Sequence, residues 1–528
     1  MAFDLVIRGA DVYDGSGAPP ARADVGVRGD RIEALGDLAL AEAETAIDGR
    51  RLAVAPGFID THTHSDLIWS LGPEHEDVAA GTIYQGVTTE VCGNCGFTPY
   101  PCTPERQPDL ARHASFLGGA ALDWHDLAGF SARATAAGHF ANLAPLVGHG
   151  SVRVGVMGFD DRAPRADELA TMRRLVEEAF EQGAFGLSTG LIYMPGVYAR
   201  TDELIDLART VSRHGRPYIS HIRGEAGTVV DAVEEAIRIG REAGMPTHIS
   251  HHKVGGRPNW GRTETTLRIV DGARAEGSDV TLDVYPYTAG STLLHALLPP
   301  WAQEGGADGI LRRLDDRETR RRLREEMDEL FGGANNGLGL SGWSEIAIST
   351  SPEHPDYEAH LVTELADEAG QDPGEFVFDL ITAERCRATM IVHTMSEADV
   401  RRVLAYPAAM IGSDGIPLPG KPHPRWAGTF SRVVGHYARE EGVLELATAI
   451  RKTTSASADR FGLRDRGRVE AGRIADLVVF DPATIADRST YAEPLLRPLG
   501  VPHVVVAGQL VVRDGQLTGV KPGTVLHA

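Results

Sequence analysis

The chain has 528 residues, more than a single hydrophobic core usually supports, so we expect one large domain with a smaller satellite. Hydrophobic residues make up 42% and charged residues 24% of the sequence, as in globular proteins, and no apolar run reaches the roughly 18 residues needed to cross a membrane. A net charge of −22 would repel phosphate groups and argues against nucleic acid as a partner.

The compartment is indicated by the first residues and by the cysteines. The start, Met1 to Gly9, has neither the basic head nor the long apolar middle of a signal peptide. Four cysteines in a chain of this length do not make a disulfide framework, which suits a reducing compartment. We therefore expect a cytoplasmic protein.

The two ends of the chain share a pattern of short strands. In the first 36 residues and the last 60, apolar runs alternate with glycine turns, as in Leu5 to Gly17 and Val504 to Gly515. We expect residues 1–54 and 465–528 to combine into one small β-sandwich domain.

Between these ends, short and nearly continuous apolar runs alternate with longer helical patterns, which is typical of a parallel sheet buried on both faces. The predicted fold class is α/β, with residues 55–464 forming a (β/α)8 TIM-like barrel, although the pattern alone does not exclude a doubly wound open sheet. The eight predicted strands are 52–60, 86–91, 141–147, 184–189, 217–221, 246–251, 280–285 and 408–414.

The interval between the seventh and eighth strands is too long for a simple crossover. It contains a segment of about residues 288–343 with glycine pairs at 305–306 and 332–333 around a charged helical stretch. Long insertions in compact domains are usually functional or disordered. We predict that this segment is a lid over the carboxyl ends of the strands.

Metal-type side chains follow several of the predicted strands. His62 and His64 follow the first strand, His221 and His251 end the fifth and sixth, and Asp414 ends the eighth. A barrel gathers the carboxyl ends of its strands around one site, and histidine, cysteine and carboxylate are zinc ligands. The sequence therefore predicts a zinc site with a position open for water.

These residues resemble the amidohydrolase superfamily and, within it, the N-acyl-D-amino-acid deacylases. The resemblance covers the whole chain and implies zinc-dependent hydrolysis of N-acyl-D-amino acids to a carboxylate and a free D-amino acid. Many two-metal amidohydrolases bridge their ions with a carboxylated lysine on the fourth strand, but 184–189 contains no lysine. Cys95 matches the cysteine that the deacylases use instead. The motifs that carry the resemblance are Leu5 to Gly9, Pro56 to His64, Gly93 to Gly96 and Gly472 to Val479.

The resemblance also implies individual roles. Cys95, His221 and His251 would hold one tightly bound zinc ion, and His62 and His64 a second, weaker site. Asp414 matches the family aspartate that takes a proton from the attacking water and delivers it to the leaving nitrogen. The predicted contacts to the substrate, including its α-carboxylate, are Arg425, Lys253, Tyr285, Ser291 and Tyr193.

Several nearby residues are predicted to lie outside the site. His252 follows His251 and should face the other way, because adjacent strand residues alternate, and His248 is left out with it. Cys92 is taken as a bystander and His149 as structural. A redox or structural-zinc interpretation of Cys92 with Cys95 lacks a second cysteine pair.

The side-chain preference depends on the stretch Leu293 to Trp301, which has no lysine or arginine. If it lines the side-chain pocket, hydrophobic D-amino acids are favoured over acidic ones; the same leucines could equally be the buried face of a lid helix. Two other functions remain open: a cyclic-amide hydrolase of the dihydroorotase or hydantoinase kind, and a catalytically inactive assembly protein on the same fold. The sequence makes no prediction of oligomeric state.

Overall fold

The computed structural model describes residues 2–118, 121–332 and 338–528. Strands and helices alternate through the middle of the chain, whereas both ends contain strands. The strands are β1 Phe3–Val12, β2 Ala21–Arg28, β3 Arg31–Gly36, β4 Ala43–Asp48, β5 Ala53–Pro56, β6 Phe58–Asp60, β7 Val87–Cys92, β8 Asn142–Pro145, β9 Val147–Gly148, β10 Leu187–Gly190, β11 Tyr218–His221, β12 Thr247–Ile249, β13 Val280–Val284, β14 Gly290–Leu293, β15 Ile346–Ile348, β16 Thr389–Val392, β17 Ala409–Ile411, β18 Leu477–Phe480, β19 His503–Val506, β20 Gln509–Arg513 and β21 Gln516–Leu517.

The α-helices of the barrel carry their apolar residues toward the strands. Within the described ranges, no helix combines the length and the apolar character that crossing a membrane requires. The helices are α1 Glu76–Ala79, α2 Gln107–His113, α3 Leu127–Ala137, α4 His149–Met157, α5 Ala166–Glu181, α6 Thr201–Val211, α7 Val229–Ala243, α8 Thr263–Ala275, α9 Pro300–Gln303, α10 Gly306–Asp315, α11 Arg317–Gly332, α12 Val362–Ala369, α13 Pro373–Ala383, α14 Glu397–Ala405, α15 Arg425–Arg432, α16 Leu446–Thr453 and α17 Ser455–Phe461.

Eight parallel strands close into a barrel, as predicted. β6, β7 and β8 pair in that order, and β9 to β13 and β17 form a second run of parallel neighbours. β8 and β9 are two halves of one strand, interrupted at Leu146, whose N–H donates to the Cys92 carbonyl. The seam between β17 and β6 is closed by the Thr61 N–H to the Ile411 carbonyl (3.4 Å) and the Asp414 N–H to the His62 carbonyl (2.7 Å). This closure excludes the doubly wound open sheet.

The terminal segments build the small β domain. One hydrogen-bonded sheet runs in the order β21-β20-β19-β18-β5-β1-β2-β3, with β4 on β1, and the antiparallel pair β5–β18 joins the two ends of the chain. Successive side chains of β18 alternate: Leu477 and Val479 pack in the domain's own core, whereas Val478 and Phe480 pack against the barrel. β5 ends at Pro56, beyond the predicted boundary at residue 54 and just before the first barrel strand.

The insertion between β13 and β17 is a compact unit with its own core. It extends past the predicted end at residue 343, because β16 returns along the chain to pair with β14 and β15 in an antiparallel sheet. Residues 333–337 of the predicted lid lie outside the described residues. The core that this unit buries includes Leu294, Leu298, Ile310, Leu323 and Phe378.

A buried lysine lies under the barrel strand that precedes Asp414. The Lys452 ammonium donates to the carbonyl oxygens of Tyr406 (2.5 Å) and Ala409 (2.9 Å), and burial lowers its pKa to about 7. In the unfolded chain a lysine titrates near pH 10.4. Between these values the unfolded state binds more protons, so this group makes the protein more stable as the pH rises.

We therefore expect the stability difference between the wild type and Lys452→Met to change with pH. Relative to the variant, the wild type should gain about 3 kcal/mol of unfolding free energy from pH 7 to pH 10. Denaturant unfolding at a series of pH values measures it, and other titrating groups cancel because both proteins contain them. Parallel curves for the two proteins would contradict the prediction.

Candidate metal centre

Four potential ligands, each following a different strand of the barrel, meet at the carboxyl ends of the strands. The ligand atoms of His62, Cys95, His251 and Asp414 all lie within 4.8 Å of one another, and all four residues are buried. The Cys95 Sγ atom lies 3.3 Å from His62 Nε2 and 3.5 Å from His251 Nε2. The structure thus brings together side chains that are up to 352 positions apart in the chain (414 minus 62).

His221 completes the cluster from β11. Its Nδ1 atom lies 3.5 Å from Cys95 Sγ, and its Nε2 atom faces Glu225 Oε1 at 3.8 Å. His221, Glu225 and His251 form a second group whose ligand atoms are close enough to share an ion. Cys95 therefore has three imidazoles around one sulfur atom.

Backbone geometry directs three of these side chains. Cys95, His251 and Asp414 all have positive φ values, of 55°, 35° and 54°. Such conformations cost non-glycine residues of order 1 kcal/mol or more and concentrate at functional sites. They also explain why β12 and β17 end earlier than predicted, at Ile249 and Ile411: the chain leaves the strand before the functional side chain.

The turn that carries Cys95 fits only because a neighbouring strand has a glycine. A Cβ atom on Gly190, the last residue of β10, would lie 2.1 Å from the Cys95 carbonyl oxygen. Any side chain at this position would push the Cys95 turn away from the two histidines on the following strands. Gly190 therefore helps to position Cys95, although it has no side chain that could take part in the reaction.

The donor set fits zinc. Nitrogen and sulfur ligands at 2.0–2.3 Å from one tetrahedral ion lie roughly 3.3–3.8 Å apart, and the sulfur–nitrogen distances of 3.3 to 3.5 Å fall in this range. Burial raises the pKa of the Cys95 thiol well above its usual value and lowers the pKa of His221 well below its own. Neutral imidazoles are the form that binds metal, and a bound cation would favour the thiolate.

Asp414 lies between the histidines and a buried arginine. Its Oδ1 atom is 3.3 Å from His64 Nε2 and 3.4 Å from His62 Nε2, and its Oδ2 atom is 2.9 Å from an Arg425 guanidinium nitrogen. Burial alone opposes ionisation of this carboxyl, yet the Arg425 charge and the adjacent histidines hold its pKa well below the usual range. Asp414 is therefore an ionised carboxylate in these surroundings.

The predicted substrate contacts surround the same centre. Arg425 lies over the Tyr285 ring, 4.9 Å from its centroid, and Lys253 lies over that ring at 5.5 Å. An Arg425 guanidinium N–H donates to the Ser291 carbonyl oxygen at 3.1 Å. The Tyr193 ring is 4.9 Å from the His221 ring. Four of the five residues that resemblance nominated thus lie together around the Tyr285 ring, and Tyr193 lies apart from them, beside His221.

The residues left out of the predicted site have other partners. His252 bonds to the Thr266 hydroxyl (2.7 Å) and His248 to the Asp283 carboxylate (2.7 Å), and neither histidine belongs to a ligand group found among the described residues. His149 lies 2.9 Å from Glu203. Cys92 is buried on β7 and belongs to neither ligand group found among the described residues.

Two carboxylates of the site were missed by the sequence analysis. Asp283 on β13 accepts the His251 N–H at 2.6 Å and lies 3.8 Å from His62 Nδ1, and Glu225 lies between His251 and Lys253. The signals were present: Glu225 is four residues after His221, and Asp283 is the one charged residue of the strand Val280–Val284. Neither signal shows by itself that a carboxylate faces a histidine from another strand.

The chain can now be compared with known proteins. The sequence profile of the amidohydrolase family matches residues 45–512. The chain belongs to this family. A D-aminoacylase from Alcaligenes xylosoxydans xylosoxydans is 41% identical over 99% of this chain and 97% of its own length, which places the chain among the N-acyl-D-amino-acid deacylases.

Solved structures of amidohydrolases support the same family assignment. The N-acyl-D-glutamate deacylase of Bordetella bronchiseptica, crystallised with zinc and a phosphonate mimic of the tetrahedral intermediate, is 37% identical with a TM-score of 0.84 over 100% of both chains. A D-hydantoinase from Thermus sp. is 16% identical with a TM-score of 0.55, covering 99% of this chain and 98% of its own, and shares the fold. In the present chain the Cys95 sulfur lies close to a ligand of each predicted metal position, His62 for the weaker site and His251 for the tighter one.

Proposed function

We propose that this amidohydrolase is a zinc-dependent deacylase that hydrolyses N-acyl-D-amino acids to a carboxylate and a free D-amino acid. The observation that carries the proposal is the convergence of three imidazoles on the Cys95 sulfur beside the Asp414 carboxylate. A cyclic-amide hydrolase with a carboxylated lysine is disfavoured, since β10 has none. An inactive assembly protein would have no use for this buried cluster.

The residues of the site would have separate roles in metal binding and proton transfer. Cys95, His221 and His251 would hold one zinc ion tightly, and His62 and His64, with Cys95 between, a second and weaker one. Bound zinc supplies a Lewis acid that polarises the amide carbonyl and lowers the pKa of water. Asp414 would accept a proton from the attacking water and return it to the leaving nitrogen, since its Oδ1 atom lies 3.4 Å from His62 Nε2 and 3.3 Å from His64 Nε2, next to the proposed metal positions.

A cationic corner would orient the substrate. Arg425 and Lys253 flank the Tyr285 ring, and a buried α-carboxylate needs such fixed partners to offset its lost hydration. Ser291 on β14 brings the insertion to this corner through its carbonyl contact with Arg425. Tyr193 closes the opposite wall beside His221.

The side-chain preference is proposed to be hydrophobic. A cavity adjoins the site, and the residues that line it include Phe97, Phe116, Tyr193 and Leu293. The leucine stretch divides between two environments: Leu293 lines this cavity, which supports the pocket interpretation, whereas Leu294 packs in the core of the insertion, which supports the other one.

The arginines of this cavity are at its solvent side. Arg385 is exposed, and Arg112, 51% exposed, pairs with Asp109 and Asp308. Such solvated charges contribute little, so they would not hold a distal carboxylate of the substrate firmly.

The expected partner is a small molecule, with no role for nucleic acid or membranes, and the expected compartment is the cytoplasm. The scattered acidic charge of the sequence supports the first expectation. For the second, the support is that all four cysteines are free thiols in the structure.

The proposal is tested by hydrolysis of N-acetyl-D-leucine and N-acetyl-L-leucine with zinc removed and then restored to one equivalent. Zinc-dependent release of leucine from the D form alone is the expected result. Bound zinc without cleavage of either enantiomer would refute the substrate assignment, and cyclic amides would be tested next.

Arg425→Lys is expected to raise KM for N-acetyl-D-leucine by about 10- to 100-fold, because lysine keeps the charge but loses the two-pronged contact worth about 1.5–3 kcal/mol. The uncharged N-acetyl-D-leucinamide should not distinguish the variant from the wild type in KM. Arg432→Lys, at the other end of α15 and paired with Asp487, is the matched control. Equal KM effects on both substrates would show that Arg425 does not recognise the carboxylate.

A further inference from the structure

Glu225 and Lys253 compete for one nitrogen of a proposed zinc ligand. The His251 Nδ1 atom lies 3.1 Å from Glu225 Oε1 and 2.8 Å from the Lys253 ammonium nitrogen. The same Glu225 oxygen accepts from Lys253 at 2.6 Å. Glu225 and His251 are buried, and the Lys253 side chain is only 15% exposed, so water competes little with these contacts.

The outcome of this competition decides whether His251 can bind a metal. A neutral imidazole carries one hydrogen: if Nδ1 donates it to Glu225, Nε2 has a free lone pair facing Cys95, 3.5 Å away. If Nδ1 instead accepts a hydrogen from Lys253, Nε2 carries the hydrogen and cannot be a ligand. One carboxylate and one ammonium thus favour opposite tautomers of the same ring.

We propose that Glu225 is a positioning residue that keeps His251 in its metal-binding tautomer against Lys253, by accepting the Nδ1 hydrogen and anchoring the Lys253 ammonium. This inference rests on the proposed function, in which His251 binds zinc and Lys253 contacts the substrate. Lys253 lies two residues from His251, at the substrate side of the ring, so the enzyme needs both the cation and a group that restrains it. Glu225 restrains it and connects His251 to the cationic corner.

The test is a double-mutant cycle read by zinc affinity, measured by competition with a chelator rather than by turnover. Glu225→Gln should weaken zinc binding by about 10- to 100-fold, as expected when an outer partner of a ligand is lost. Lys253→Met should leave the zinc Kd within about threefold of the wild type. In the double variant, the zinc Kd should return to within about tenfold of the wild type, because no ammonium remains to donate to Nδ1.

A structural ion pair would behave differently. Glu203 offers a matched control, since it also lies between a histidine and a cation, 2.9 Å from His149 and 2.6 Å from Arg153, and it belongs to neither ligand group found among the described residues. Glu203→Gln should lower thermal stability without changing zinc affinity. An unchanged Kd in Glu225→Gln, or a double variant as weak as the single one, would overturn the proposal.

Failure of the proposed function gives another pattern. If the wild type binds no zinc, or if Cys95→Ala leaves the affinity intact, the proposed zinc site itself is wrong and the role of Glu225 is overturned with it. Wild-type zinc binding that depends on Cys95 but not on Glu225 would overturn the positioning role alone.

Discussion

Asp414→Asn should lower kcat for N-acetyl-D-leucine by about 10³-fold, within the range of about 10² to 10⁴ typical of a lost general acid–base. Asparagine preserves the shape of the side chain but accepts no proton, so both the activation of water and the protonation of the leaving nitrogen are lost. Zinc content should stay at one equivalent, because the proposed ligands Cys95, His221 and His251 are unchanged. Steady-state kinetics with metal analysis on the same preparation measures both results.

Loss of stability could imitate this result, so a control is needed. Asparagine leaves the buried Arg425 without its charged partner, which is expected to cost about 3 kcal/mol of unfolding free energy. Asp399→Asn removes another buried carboxylate that pairs with an arginine, Arg402, outside the site. This control should lose stability and keep kcat; a comparable fall in kcat would show that Asp414 is only structural.

Cys95→Ala removes the ligand at the centre of the cluster and should weaken zinc binding by two orders of magnitude or more. Structural zinc sites with four ligands bind with roughly 10–16 kcal/mol, so one ligand contributes on the order of 3 kcal/mol. At one equivalent of zinc the variant should be nearly inactive, and excess zinc should restore only part of the activity. Chelator competition and activity at a series of zinc concentrations measure these two effects.

The chain contains its own control for this variant. Cys92 is three residues away, equally buried, and a free thiol on β7. Cys92→Ala should leave the zinc affinity unchanged while creating a cavity of the same kind. If Cys92→Ala lost zinc and Cys95→Ala kept it, the assignment of the central sulfur would be wrong.

The barrel was predictable because each of its strands has a recognisable pattern in its own stretch of sequence. Each has a short apolar run between helical patterns, and this signal depends only on burial of the strand itself. The helix-sized intervals also made a parallel sheet the expected arrangement. The insertion was harder, because β14 pairs with β16 about a hundred residues later, and pairing partners are not encoded in either strand.

Some features of the candidate site were likewise predictable from the sequence, and others were not. The sequence alone showed that histidines and an aspartate end several strands, and resemblance to a known family nominated Cys95 and the substrate contacts. Only the tertiary structure revealed that the chain turns into positive φ at Cys95, His251 and Asp414. It also decided that Glu225 and Asp283 face the histidines, since a second layer of contacts depends on distances between strands.

By itself, then, the sequence determined the fold class, the types of ligand and the end of the barrel at which they lie, because these follow from periodicity and strand direction. The tertiary structure decided which atoms meet: three imidazoles on one sulfur, an arginine on the Asp414 carboxylate, and a glutamate and a lysine on one imidazole nitrogen. The reason is physical. Such contacts form across a closed barrel between residues far apart in the chain, and no local pattern specifies a distance of 3 Å between them.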